Sequence, residues 1–130
     1  MHRRVGKYRV GSRWVELFLV DGLDGRFATA PPSGITLIEI GSEGQWHETV
    51  STLIHESTEL ALLDCQARFA PSPDYANSND GYLFVCDHLT FGEATARVGI
   101  FVAACLPDML KTYKQLKAGP RRRKSRRRSG

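Results

Sequence analysis

The chain has 130 residues, 42% of them hydrophobic, which suits one globular domain with a core of useful size. No apolar run approaches 18 residues and no apolar segment follows the basic N-terminus, so neither a membrane-spanning helix nor a secretory leader is expected. The net charge of +4 conceals an uneven layout: residues 14–120 hold all 14 acids and six of the 18 cations, an acidic body between two basic ends.

Residues 1–13 are basic, broken by Gly6 and Gly11, and show no clear period. Trp14–Val20 is apolar on both parities apart from Glu16, the pattern of a strand covered on both faces. Asp21-Gly22 and Asp24-Gly25 are turn signals; Arg26–Ala30 is a short strand candidate ended by Pro31-Pro32. Ile35–Ile40 is β-branched and predicts another strand. Ser42 to Gln45 has the S-x-x-Q spacing of a capping box, which starts a long helix over Glu43–Phe69 that Pro71 and Pro73 prevent from continuing. In that helix Val50, Leu53, Ile54, Ser57 and Ala61 form an inward stripe, and His55 and Glu59 fall on the opposite side.

Pro71–Gly81 reads as a loop and Tyr82–Cys86 as a strand. Thr90-Phe91-Gly92-Glu93 is a second capping-box pattern, opening a helix whose stripe is Ala94, Val98, Phe101, Val102 and Cys105, with a kink or restart at Pro107. Cys65, Cys86 and Cys105 are widely spaced in apolar settings without a C-x-x-C, so they read as buried free thiols of a reducing compartment, cytoplasmic, or nuclear in a eukaryote. The expected architecture is α+β: a small, mostly antiparallel sheet with two packed helices in one domain over residues 1–120. A disordered basic tail over 121–130 follows it.

The chemistry concentrates in His55-Glu56-Ser57-Thr58-Glu59. The spacing of four puts His55 and Glu59 on one helix face, with Glu56 between that face and the core. This run resembles the H-E-x-x-H signature of zincin metallopeptidases, with Glu59 where the second histidine would stand. The resemblance implies a zincin-like β-β-α-β-α order from about Ile35 to Val102, a Zn²⁺ held by His55 and Glu59, and Glu56 as general base toward a peptide or protein substrate. A third ligand is needed. His88, just past the expected strand Tyr82–Cys86, is the leading candidate, with Asp87 as fallback or as partner to an imidazole. Glu93 is accounted for by its capping pattern, and His47 and His2 read as surface histidines. No nucleophile elbow or phosphate-binding glycine loop is present.

Arg121, Arg122, Arg123, Lys124, Arg126, Arg127 and Arg128 form a run suited to non-specific nucleic-acid binding through phosphate. The run has no interleaved aromatics to stack bases. Three readings follow: a zincin-like metal-dependent peptide hydrolase, a metal-free derivative of that scaffold, or an interaction protein bridging a protein partner and nucleic acid through the tail. No membrane partner is expected.

Overall fold

The computed structural model describes residues 1–69 and 82–119. The loop expected over 71–81 and the basic tail over 121–130 lie outside the described residues. The fold is α+β, with a four-stranded sheet, a two-stranded sheet and two helices.

Strands β1 (His2–Val10) and β2 (Arg13–Val20) form an antiparallel hairpin. Its turn is made possible by Gly11 at φ +62, a left-handed value that a side chain disfavours. The first strand departs from the expectation of no periodic structure before Trp14. A register shift between Arg4 and Gly6 explains why. Before it His2 and Arg4 share the outer face with Phe18; after it Lys7 and Arg9 do so with Trp14, and this parity change hides the alternation. Strand β3 (Gly25–Ala28) pairs antiparallel with β4 (Thr36–Gly41), and β4 pairs parallel with β2, giving the order β1-β2-β4-β3. Residues 21–24 must therefore cross over the end of β4. The crossing is held by Gly41 N–H donating to the Asp24 carbonyl, Ser42 N–H to Val20 and Glu43 N–H to Gly22. Gly41 has no room for a Cβ, because the Gly22 carbonyl lies against it.

Helices α1 (Trp46–Asp64) and α2 (His88–Ala118) cover one face of the sheet. Val15, Leu17, Leu19, Ile38 and Ile40 from the sheet meet Leu53, Leu60, Ala61, Phe101, Cys105 and Met109 from the helices. Burying side chains of this size contributes about 1.5–3 kcal/mol each. The expected boundaries shift for identifiable reasons. Ser42 does not cap α1: its hydroxyl donates to the Val20 carbonyl, and Gln45 caps without a side-chain bond. The buried face of α1 is Thr49, Leu53, Glu56, Ser57, Leu60, Ala61 and Leu62; Ile54, assigned to the inward stripe, is exposed. Thr90 does not cap α2 either. Asp87 does, its carboxylate accepting from Thr90 N–H at 2.7 Å, which lowers the Asp87 pKa. Pro107 does not restart a helix, since α2 runs through it without a break.

Helix α1 ends earlier than the predicted Phe69. Gln66 adopts φ 58, and the N–H groups of Gln66 and Ala67 donate to the carbonyls of Leu63 and Leu62, a Schellman termination without its usual glycine. The chain doubles back into β5 (Arg68–Phe69), which pairs with β6 (Leu83–Phe84), the remnant of the strand expected over Tyr82–Cys86. The cysteines also divide: Cys105 is buried, Cys65 half-buried and Cys86 exposed, so uniform burial of the three thiols does not hold. By length and composition α2 is apolar enough to cross a membrane, contrary to expectation, yet its inner face (Ala94, Val98, Phe101, Cys105, Met109) lies in the core. Glu93 and Arg97 interrupt this stretch, so no unbroken apolar run marks it in the sequence.

Candidate functional site

The His55–Glu59 segment forms one wall of a cleft of about 860 Å³. The opposite wall is β3 and its flanks, Leu23 to Thr29, and Arg68 and Tyr82 close one end. Strand and helix approach each other closely at Gly25: a Cβ there would fall 2.5 Å from Thr52 Cγ2 and 2.9 Å from Glu56 Cγ. A glycine is thus required where the strand passes over the helix.

Glu59 is the hub. Its Oε2 lies 3.4 Å from His55 Nε2, the pair one helical turn apart, and its Oε1 lies 3.0 Å from Arg68 Nη2. The three side chains differ in burial, His55 being 71% exposed, Glu59 17% and Arg68 14%. The Arg68 guanidinium is stacked 3.7 Å from the Tyr82 ring centroid and 5.2 Å from that of Phe27. Its Nε is buried and has no hydrogen-bond partner among the described residues. The reversal at Gln66 brings Arg68 back beside Glu59, which a helix continuing to Phe69 would not do. Glu56 is only 8% exposed. Burial raises its pKa first, the charge of Glu59 raises it further, and His55 and Arg68 pull the other way.

The structure brings His55, Glu56 and Glu59 to one cleft. His88 is the first residue of α2, is exposed, and is not among the lining residues; Asp87 is engaged at the helix cap. Among the described residues no three His, Cys, Asp or Glu side chains draw together as a metal centre. A zinc centre needs three protein ligands. His55 and Glu59 offer two, and the second Glu59 oxygen faces the Arg68 cation, which repels a dication. As arranged, a zinc site here would need Glu59 freed from Arg68 and a third donor brought beside His55.

Sequence reasoning missed Arg68 and Tyr82. The signal for Arg68 was a lone cation after the apolar run L-A-L-L-D-C, with no other Lys or Arg between Arg26 and Arg97. Tyr82 carried no signal beyond its position at a strand start. Comparison with known proteins returns no match to any family profile, curated protein or solved structure.

Proposed function

We propose that this domain binds an extended peptide segment in the cleft between β3 and α1, acting as an interaction module. One observation carries the reading: β3 is the edge of its sheet, pairs only with β4 among the described residues, and runs along the cleft opposite His55, Glu56 and Glu59. A free strand edge offers unpaired backbone groups that a peptide can extend by strand addition. Four residues of β3 span about 13 Å, enough to pair with a short segment. The polar floor of Arg68, Glu59 and Glu56 would then select the side chains facing it. The three unpaired thiols support a reducing, cytoplasmic setting, and the tail cations add a phosphate-binding end.

The test is a binding peptide, selected from a random library, resynthesised in two versions with alternate amides N-methylated in opposite phase. Strand addition predicts that one phase abolishes binding and the other leaves it intact. Equal loss, or equal retention, in both phases would sink the proposal.

A second reading is favoured by the convergence of His55, Glu56 and Glu59 on that same cleft: a zincin-like metal-dependent peptide hydrolase, with Glu56 as general base and His55, Glu59 and His88 as ligands. A carboxyl pKa raised by burial suits a base. This reading requires Arg68 to release Glu59 and a third donor to join the pair. Zinc titration calorimetry with peptide-cleavage assays tests it.

A further inference from the structure

The face of the sheet turned away from the helices has a composition that the peptide cleft does not explain. On β2 the outward residues are Trp14, Glu16, Phe18 and Val20, alternating with the buried Val15, Leu17 and Leu19. The register sets Arg9 opposite Trp14, Lys7 opposite Glu16 and Arg4 opposite Phe18. Farther across, Phe18 neighbours Glu39, which neighbours Arg26. Two aromatic rings therefore lie among four cations and two carboxylates on one sheet face that no described helix covers.

The carboxylates are spent within the face. Glu16 accepts from Arg4 Nε at 3.1 Å, and Glu39 pairs with Arg26 and lies 3.1 Å from His2 Nε2. Lys7 and Arg9 have no carboxylate partner among the described residues. Their cationic ends sit instead 5.2 Å and 4.5 Å from the Trp14 ring centroid, and Trp14 is 46% exposed. His2 stacks on Phe18 at 4.2 Å, so that ring already supports a planar partner.

From this arrangement we propose that the open β1–β2 face binds single-stranded nucleic acid, with a base stacked at Trp14 and phosphates held by Lys7 and Arg9. Flat aromatic side chains flanked by cations are the elements of a sequence-tolerant single-strand platform. The net positive charge of the face complements a polyanion. A duplex buries its bases and offers Trp14 nothing to stack on, so single strands are preferred. The site is independent of the cleft on the helix side, and either proposal can fail without the other.

The test uses the full-length protein with a dye-labelled oligothymidylate of roughly twelve nucleotides, within the range such platforms cover. Trp14→Ala weakens binding about 10-fold, while Trp14→Phe, which keeps a ring, restores most of it. Changing both Lys7 and Arg9 to Ala lowers the slope of log affinity against log salt by about 1.4, since each single-strand phosphate contact contributes about 0.7. In a Trp46→Phe background the oligonucleotide quenches the remaining Trp14 emission. Unchanged affinity in Trp14→Ala together with unquenched Trp14 emission would assign all binding to the tail and overturn the proposal. Stronger binding to duplex, or equal quenching by phosphatidylserine vesicles, would overturn it as well.

Discussion

Replacing Arg68 by Ala removes the cation that pins Glu59, and its consequences can be worked from the geometry. The Glu59 bond at 3.0 Å is charge-assisted, with both side chains less than a fifth exposed. Such bonds contribute about 1.5–3 kcal/mol, with little screening at this burial. Stacking on Tyr82 and Phe27 adds about 1 kcal/mol. Against this, the substitution deletes the buried Arg68 Nε, which lacks a partner among the described residues, a relief of about 1–3 kcal/mol. The net expectation is a destabilisation of about 1 kcal/mol, near 0.5 M in urea midpoint at a slope of about 2 kcal/mol per molar. The same change removes the positive charge beside the His55–Glu59 pair, so zinc affinity should rise. Urea unfolding and zinc titration calorimetry on the two proteins check both arms. An Arg68→Ala protein as stable as wild type, with zinc affinity unchanged, would refute Glu59 as an anchored hub.

The metal reading predicts that wild type binds about one Zn²⁺, that His55→Ala abolishes binding, that Glu59→His tightens it, and that Glu56→Gln binds normally but cleaves nothing; calorimetry and peptide-cleavage assays on these proteins decide it. Glu56 has a folded pKa raised above its ordinary 4.5, so the folded state binds the extra proton and stability falls as pH climbs from there through the raised value. Glu56→Gln should remove that decline in urea midpoints measured across pH, and an unaltered pH slope would show that burial does not perturb this carboxyl. Native thiol labelling should run Cys86 fastest, then Cys65, then Cys105, whose thiol burial pushes up to about 12; early modification of Cys105 would contradict its place in the core. Deleting residues 121–130 should leave the melting temperature unchanged and reduce the salt dependence of nucleic-acid binding, checked by calorimetry and anisotropy.

Elements with an uninterrupted local pattern were legible. β2, β4 and both helices followed from runs such as W-V-E-L-F-L-V and from the stripe through Ala94, Val98, Phe101 and Cys105, and they gave the α+β class. Features that depend on tertiary partners were not. β1 was hidden by its bulge, and its cations stay on a strand because Val5, Tyr8 and Val10 pack inward. The end of α1 hinged on Gln66 taking a left-handed conformation, which a non-glycine residue adopts only when its surroundings hold it there. His55, Glu56 and Glu59 were legible as a group from helical spacing alone. Arg68 was not, because it reaches Glu59 only through that reversal. The parallel seam between β2 and β4 was also illegible, since β3 is nearest in sequence but outermost in the sheet.

That seam imposes an order of assembly. The β1–β2 and β3–β4 pairs are hairpins of nearby residues, able to form in microseconds. The β2–β4 pairing joins residues about twenty positions apart, such as Val15 with Thr36, and it must form with residues 21–24 already laid across the end of β4. Closing it is therefore the slow step, because the entropy of a longer loop is lost before the contacts form. Weakening the seam, for example by Ile38→Val, should therefore slow folding. Among the described residues β3 is held by a single neighbouring strand, so the edge that borders the cleft can open first and accept another strand without dismantling the core.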